Sequence, residues 1–193
     1  IERVTKTSFE QYVSDVFYTP MGLNRLTFLP LYNFNADEIV PTSISPDMRK
    51  GLVQGMVHDP AAAMLGGVSG HAGLFGNAES LASLMQMLLN GGEYKNVQYL
   101  KPETINSFTA KQSTNSRRGL GWDKPEMDKN RSNPACDYAS EETFGHSGFT
   151  GTIVWVDPKY DLIYVFLSNR VYPTQDNRKL IEMGVRKNIM NAV

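Results

Sequence analysis

The sequence predicts an α/β (α+β) sandwich, in which helices cover both faces of an antiparallel sheet. Two observations carry this prediction: the order of the elements, and the composition of two strand-like runs near the end of the chain. Residues 1–117 contain mostly helical patterns with long loops, whereas residues 118–193 contain strand patterns followed by a helical one. Because 193 residues with 41% apolar side chains can bury one sizeable core, we expect the two parts to form one domain together.

The strand patterns lie in the second part of the chain. Residues 152–156 and the run from Leu162 to Leu167 are mostly β-branched, aromatic and aliphatic, and a turn at residues 157–161 separates them. Neither run alternates polar with apolar residues, which predicts a sheet that is covered on both faces. Residues 144–149 are predicted as a preceding strand, and Gly121-Trp122 mark a further one.

The first helix is predicted near Thr7 and Glu10, which have the spacing of a capping box. Pro20 and Gly22 are expected to end it. A loop rich in proline and asparagine follows over residues 30–46. The apolar face of the helix has four residues at helical spacing: Phe9, Val13, Val16 and Phe17.

Further helices are predicted from their starting residues. Ser45-Pro46-Asp47 would start a short one, Asn77 would cap a longer one, and Pro102 would begin another. Five glycines within residues 64–77 imply tight turns or a backbone that closely approaches something. A last helix is predicted from Gln175, with these residues facing inward: Leu180, Ile181, Val185 and Ile189.

The composition excludes several classes of partner. The formal net charge is −1 and both signs are scattered along the chain, so we expect no binding to nucleic acid or to an anionic membrane. No apolar run reaches the roughly 18 residues of a membrane span. The single cysteine, Cys136, has no partner for an internal disulfide, which leaves the compartment open.

The segment Gly145–Gly151, with the sequence Gly-His-Ser-Gly-Phe-Thr-Gly, is the sharpest functional signal. Glycines at three-residue spacing are unusual in a strand, where they mark bulges or the close approach of a ligand. A histidine and a serine stand beside them. Such an edge suits hydrogen bonding to an extended substrate, or a backbone N–H aimed at an oxyanion. An ordinary glycine-bulged strand with a surface histidine explains the pattern equally well.

His146-Ser147-Gly148, followed by a hairpin and a helix, resembles the third motif, Lys/His-Thr/Ser-Gly, of serine β-lactamases and penicillin-binding proteins. Residues 5–29 resemble the family's helix and its Pro-x-Gly-x-x-x-Thr-x-Phe turn, and residues 73–92 resemble its Gly-Leu helix segment. Residues 57–73 resemble a narrower group, around penicillin-binding protein 4B and the β-lactamase domains joined to family 3 glycosidases. The resemblance extends over nearly the whole chain.

This resemblance implies acyl-enzyme chemistry without a cofactor, in which a serine attacks a carbonyl and a lysine and a tyrosine handle its proton. His146 would support that tyrosine electrostatically or bind a substrate carboxylate. Ser147 would hydrogen-bond the carboxylate, and Gly148 would leave room for it. The backbone N–H of Phe149 would be an oxyanion-hole donor, and His71 would contact substrate.

Two motifs of the family are not matched. No serine is followed by lysine three residues later, since Ser107 and Lys111 are one residue too far apart. Tyr94-Lys95-Asn96 fits Tyr-x-Asn literally, but it follows the glycines that end a helix, where an exposed turn is expected. We therefore expect this chain to be an N-terminally truncated domain that is inactive alone. We also expect self-association through the bare strand from Leu162 to Leu167, or local disorder near it.

The resemblance leaves the substrate open among peptidoglycan-like peptides, β-lactams and esters, and implies a location in the periplasm or cell envelope. A non-catalytic module that binds peptidoglycan or peptides is one alternative. A metal-dependent hydrolase is another, with His58, Asp59, His71 and His146 as ligand types, although no pair has the spacing of a zinc motif. The Gly-x-Ser-x-Gly pattern of other serine hydrolases is absent.

Overall fold

The structure is a computed structural model that describes residues 1–45 and 49–193. These residues form two compact units. The first unit contains Ile1–Leu81 and Asn169–Asn177, and the second contains Ala82–Ser168 and Arg178–Val193. Helices and antiparallel sheets are both present, which confirms the α+β class.

The first unit opens with α1 (Glu2–Thr5) and a longer helical stretch. This stretch consists of α2 (Phe9–Val13), a π-helical turn (Ser14–Tyr18) and α3 (Thr19–Met21). It includes Pro20, which has no N–H and follows the wider π-helical turn, and it ends at Met21, which confirms the predicted end at Pro20 and Gly22. The glycine that follows, with a φ of 75°, ends the helix.

The predicted capping box at Thr7 and Glu10 is wrong. Ser8 is the N-cap of α2 and makes no side-chain cap bond. Instead, the N–H of Phe9 donates to the carboxylate of Glu2 over 3.0 Å. A backbone N–H at the start of α2 is therefore hydrogen-bonded to a side chain of α1. The local spacing of residues around Thr7 does not reveal this contact.

A hairpin of β1 (Pro41–Ser45) and β2 (Gly51–Gln54) occupies part of the segment that was predicted as a loop. The side-chain amide of Asn169 donates to the carbonyls of Pro41 and Thr42 at 2.6 and 2.9 Å, so a later segment of the chain holds β1 in place. The helix predicted to start at Ser45-Pro46-Asp47 rests on residues 46–48, which lie outside the described residues.

A glycine-rich loop connects α4 (Pro60–Met64) with α5 (Ala78–Leu89). The side chain of Asn77 accepts a hydrogen bond from the N–H of Ser80 at 2.9 Å, which confirms the predicted cap. Gly73 has a φ of 113°, and a Cβ there would overlap the carbonyl oxygen of Gly67. The loop therefore closes on itself at these two glycines.

The second unit continues from α5 through a hairpin, β3 (Glu93–Tyr94) and β4 (Val97–Gln98), to α6 (Pro102–Thr109). Pro102 begins α6 as predicted, and Ile105 is buried, but Phe108 is 47% exposed rather than packed.

The main sheet of this unit has the order β5 (Phe144–Ser147), β6 (Ile153–Asp157), β7 (Leu162–Phe166), and both pairings are antiparallel. Trp155 and Val156 point to opposite faces and are 1% and 0% exposed, so both faces are covered at the centre. The predicted hairpin is confirmed. Gly121-Trp122 form no strand. Among residues 1–45 and 49–193, an isolated bridge between Asp123 and Gly145 lies beside β5.

The core of the second unit surrounds the indole of Trp155. It contains the following buried residues: Ala135, Cys136, Ile153, Tyr164 and Met190. The hydroxyl of Tyr164 reaches the edge of this cluster and donates to the carbonyl of Arg186 at 3.0 Å. Trp155 is thus a core residue, as its position inside a strand pattern predicts.

The C-terminal helix is two helices rather than one. α7 (Lys179–Glu182) and α8 (Val185–Met190) are separated by Gly184, which has a φ of 59°. The break rotates the apolar face, so that Ile181 and Ile189 are each more than 40% exposed while Met190 is buried. Across the described residues, no helix is both long and apolar enough to cross a membrane.

Candidate active site

The predicted motif lies at the end of β5 and in the turn that follows. β5 ends at Ser147, two residues earlier than predicted. The carbonyl of Gly148 accepts from the N–H of Gly151 at 3.1 Å, and the N–H of Gly148 donates to the carbonyl of Thr152 at 2.8 Å. Phe149 therefore lies in a four-residue turn, and its side chain is 61% exposed. Its role as an oxyanion-hole donor stays a prediction.

On the outer edge of β5, Gly145 is paired with another segment of the chain, and the strand extends beyond it to Ser147. Gly145 exchanges two backbone hydrogen bonds with Asp123, at 2.8 and 3.0 Å. Alternate residues of a strand direct their backbone N–H and C=O groups to the same edge. Ser147 consequently directs its backbone groups to the edge that Asp123 uses. This is where an extended substrate would pair with the strand.

The glycines of the motif serve packing more than ligand approach. A Cβ on Gly145 would meet the Trp155 ring at 2.5 Å, and one on Gly151, where φ is 116°, would meet the Ser168 hydroxyl at 2.6 Å. A Cβ on Gly148 would likewise meet the hydroxyl of Thr152. The predicted role of Gly148, to leave room for a substrate, stays a prediction.

Both ring nitrogens of His146 have partners. Nε2 lies 2.9 Å from Nη1 of Arg118, and Nδ1 lies 3.0 Å from the carbonyl oxygen of Ser147. A guanidinium only donates and a carbonyl only accepts. The imidazole therefore accepts at Nε2 and carries its proton at Nδ1, which is the neutral form.

The positive charge beside the motif belongs to an arginine pair that sequence reasoning missed. Arg117 contacts both carboxylate oxygens of Asp123, at 2.8 and 2.9 Å, and Nη2 of Arg118 lies 3.4 Å from the same carboxylate. Asp123 is 4% exposed. Two arginines against one aspartate leave one unit of positive charge next to His146. Two consecutive arginines before Gly119 were the feature of the sequence from which this charge could have been predicted.

His71 belongs to the first unit, whereas the four other predicted site residues belong to the second. Its Nδ1 is 2.7 Å from the Ser69 hydroxyl, and its Nε2 is 3.0 Å from Oδ1 of Asp59. The same oxygen of Asp59 accepts from the N–H of Ala62 at 2.8 Å and caps α4. That backbone bond, with the bond from His71, holds the pKa of the Asp59 carboxyl below its usual range.

The other predicted ligand of this region, His58, lies close to two arginines. Burial lowers the pKa of its imidazole, and the nearby charges of Arg49 and Arg170 lower it further. Within residues 1–45 and 49–193, no three His, Cys, Asp or Glu side chains are grouped as a metal site requires. The metal-dependent alternative therefore receives no support from these residues.

Tyr94-Lys95-Asn96 is a hairpin turn. Tyr94 ends β3, and Lys95 and Asn96 have φ values of 50° and 64° before β4 begins. Two consecutive left-handed residues are typical of the tightest hairpin turns. The three residues that match Tyr-x-Asn are thus explained by the conformation of this hairpin turn.

Comparison with known proteins agrees with the family resemblance and with the fold. The family model described as Beta-lactamase matches residues 1–183. A putative D-alanyl-D-alanine carboxypeptidase of Escherichia coli K12 is 36% identical over 200 residues, which cover 95% of this chain and 46% of the relative. Another of the same description from Salmonella paratyphi B is 36% identical and is covered to 44%.

Solved structures show the same fold. A beta-lactamase from Mycobacterium bovis has a TM-score of 0.61 at 18% identity, with 99% of this chain and 58% of that chain covered. A penicillin-binding protein homologue from Caulobacter crescentus has a TM-score of 0.56 at 19% identity, with coverages of 87% and 48%.

The fold is that of the beta-lactamase and the penicillin-binding protein homologue compared above. The chain belongs to the beta-lactamase family. It spans less than half the length of the curated relatives named above.

Proposed function

We propose that this chain supplies one wall of the acyl-transfer cleft of a serine hydrolase of the D-alanyl-D-alanine carboxypeptidase type. The observation that carries the proposal is the end of β5, where exposed His146 and Ser147 stand beside the positive charge of Arg118. The name of the Escherichia coli relative favours peptides of the peptidoglycan type over β-lactams and esters. The same relatives favour a location in the cell envelope.

In this cleft, the neutral His146 would orient the substrate, and Arg118 would supply the positive charge. Arg118 is half exposed, so its guanidinium has donors left for an anionic group of the substrate. Ser147 lies at the open edge of β5 and would donate its hydroxyl to the same group. The N–H of Phe149 would face the developing oxyanion.

The serine nucleophile, its lysine and its tyrosine would come from residues outside this sequence, because no Ser-x-x-Lys occurs among the 193 residues. We therefore propose that the chain alone forms no adduct with a penicillin.

A fluorescent penicillin, read out by mass spectrometry of the intact protein, tests this function. The comparison is between this chain and a longer form that includes the Ser-x-x-Lys and Tyr-x-Asn segments. Labelling of the longer form alone supports the proposal. A stoichiometric adduct on this chain would contradict it.

If neither protein is labelled, an ester and D-alanyl-D-alanine panel on the longer form separates a narrow peptidase or esterase from a binding module. Turnover of either substrate keeps the hydrolase, and binding of peptidoglycan fragments without turnover favours the non-catalytic module.

A further inference from the structure

We propose that Ser69, His71 and Asp59 form a second nucleophilic site, with Ser69 as the residue that reacts with small acyl esters. The three side chains form a continuous hydrogen-bonded chain in the first unit: hydroxyl to imidazole 2.7 Å, imidazole to carboxylate 3.0 Å. The order of nucleophile, base and orienting carboxylate is the one that activates serine in several unrelated hydrolase folds, with the two ring nitrogens of the histidine exchanged.

The protons of the chain are arranged for general-base catalysis. The Asp59 carboxylate already accepts from the N–H of Ala62, and as an anion it can only accept. His71 must then donate its Nε2–H to Asp59, so that in the neutral imidazole the lone pair of Nδ1 faces the hydroxyl of Ser69. The imidazole is therefore ready to take the proton of Ser69.

Backbone constraints hold the groups in place. Asp59 is fixed as the N-cap of α4, where its φ is −62° and its carboxylate bonds to the first turn. At the other side, Gly67 donates its N–H to the carbonyl of Ala62 at 2.8 Å, and Gly73 packs against Gly67. Ser69 and His71 thus lie within a loop whose two ends are joined.

The site is open to a small molecule. Ser69 is half-buried, and the side chain of His71 is 54% exposed. Gly70, between them, has no atom within 4 Å of the position where a Cβ would lie. It also lines a shallow, open depression of the surface together with Arg3 and Phe9.

The proposed reaction balances without a cofactor. The Oγ of Ser69 attacks the ester carbonyl while Nδ1 of His71 takes the hydroxyl proton. The bond to the leaving oxygen then breaks, and this oxygen takes the proton from His71 and departs as an alcohol. An acyl ester of Ser69 remains, which water hydrolyses with His71 again as the base. Asp59 is a positioning residue, because it acts through His71.

The test uses this chain with p-nitrophenyl acetate, followed by peptide mapping of the acetyl group by mass spectrometry. The Ser69→Ala variant removes the nucleophile. Asp59→Asn removes the charge but keeps an oxygen for the cap of α4, since asparagine is as good an N-cap as aspartate. Ser107→Ala, at an exposed serine of α6, is the matched control.

We expect acetylation at Ser69 in the wild type and in Ser107→Ala, none at that position in Ser69→Ala, and at least a roughly tenfold slower reaction in Asp59→Asn. Circular dichroism checks that each variant is folded. Acetylation elsewhere with Ser69 unmodified, or an equal rate in Asp59→Asn, would overturn the proposal.

This site has its own nucleophile, Ser69, although His71 is also predicted to contact the substrate of the cleft, and the two proposals are distinguished by the probe. A penicillin reports on the cleft, and the acetyl ester at Ser69 reports on this chain of bonds. If one proposal fails its test, the test of the other proposal is not affected.

Discussion

At the scale of single residues, His146 has a defined protonation because its neighbours allow only one. Arg118 donates to Nε2, so the proton of the neutral ring lies on Nδ1 and points to the carbonyl of Ser147. Nitrogen-15 NMR of the histidine side chains measures this directly. We expect His146 to be the Nδ1–H tautomer.

Replacing Arg118 by methionine removes every donor to Nε2 and should let the Nε2–H tautomer appear. Arg131→Met is the control, since Arg131 is exposed and pairs with Glu126 instead. An unchanged tautomer in Arg118→Met would mean that the arginine does not control the ring.

Asp157 is the residue that should make stability depend on acid. Burial raises the pKa of its carboxyl, but hydrogen bonds from Ser140, Thr143 and Lys159 together outweigh burial and leave the pKa below 3.8. Its contribution is therefore complete above that value and is lost as the pH falls through the lower, folded pKa.

The variant Asp157→Asn keeps the shape of the side chain and loses the charge-assisted bonds. We expect it to unfold about 2–4 kcal/mol more easily at neutral pH. Urea unfolding at several pH values should also show a smaller loss of stability on acidification than in the wild type. Parallel curves for the two proteins would contradict the assignment.

At the scale of elements, the loop between α4 and α5 offers a clean comparison of two glycines. Gly66 and Gly73 both have a positive φ, at 83° and 113°, but only Gly73 lies against a carbonyl oxygen. Gly66→Ala should cost about 1–2 kcal/mol of backbone strain. Gly73→Ala should cost more, because the Gly67 carbonyl must also move. Equal unfolding free energies would contradict this.

The elements that the sequence predicts well are those set by local chemistry. Residues 152–167 are predicted as a hairpin because β-branched residues surround an Asp-Pro turn, and Asn77 is predicted as a cap because its side chain reaches its own helix. β1 is missed since Pro41-Thr42-Ser43 shows no apolar alternation and is held by Asn169, far along the chain.

The candidate site follows the same rule. His146 and Ser147 are found by a local motif, and so is their position in a strand, although the strand ends at Ser147 rather than at residue 149. Arg118 and Asp123 are missed because their meeting with the motif depends on how β5 and the preceding segment pair. His71 is predicted as a site residue. Its hydrogen bonds to Ser69 and Asp59 are missed, because they depend on the closure of the glycine-rich loop between α4 and α5.

At the scale of the whole molecule, β7 forms an edge of the main sheet, and it pairs only with β6 among the residues that the structure describes. An apolar edge strand is a template for pairing with another chain. We propose self-association through the strand from Leu162 to Leu167, to be measured by light scattering. Val165→Lys should shift the protein towards the monomer, whereas Val97→Lys, in an exposed part of β4, should not. A monomeric wild type would contradict the proposal.

The residues Asn169–Asn177 return to the first unit after the sheet of the second is complete. A gene shortened to encode only Ile1–Leu81 would therefore omit Asn169, whose amide holds the carbonyls of β1. For recombinant work, the two units are not separable at one cut, and splitting them requires grafting this late segment back by a linker. A nick by a protease on either side of it should likewise loosen a hairpin more than a hundred residues away.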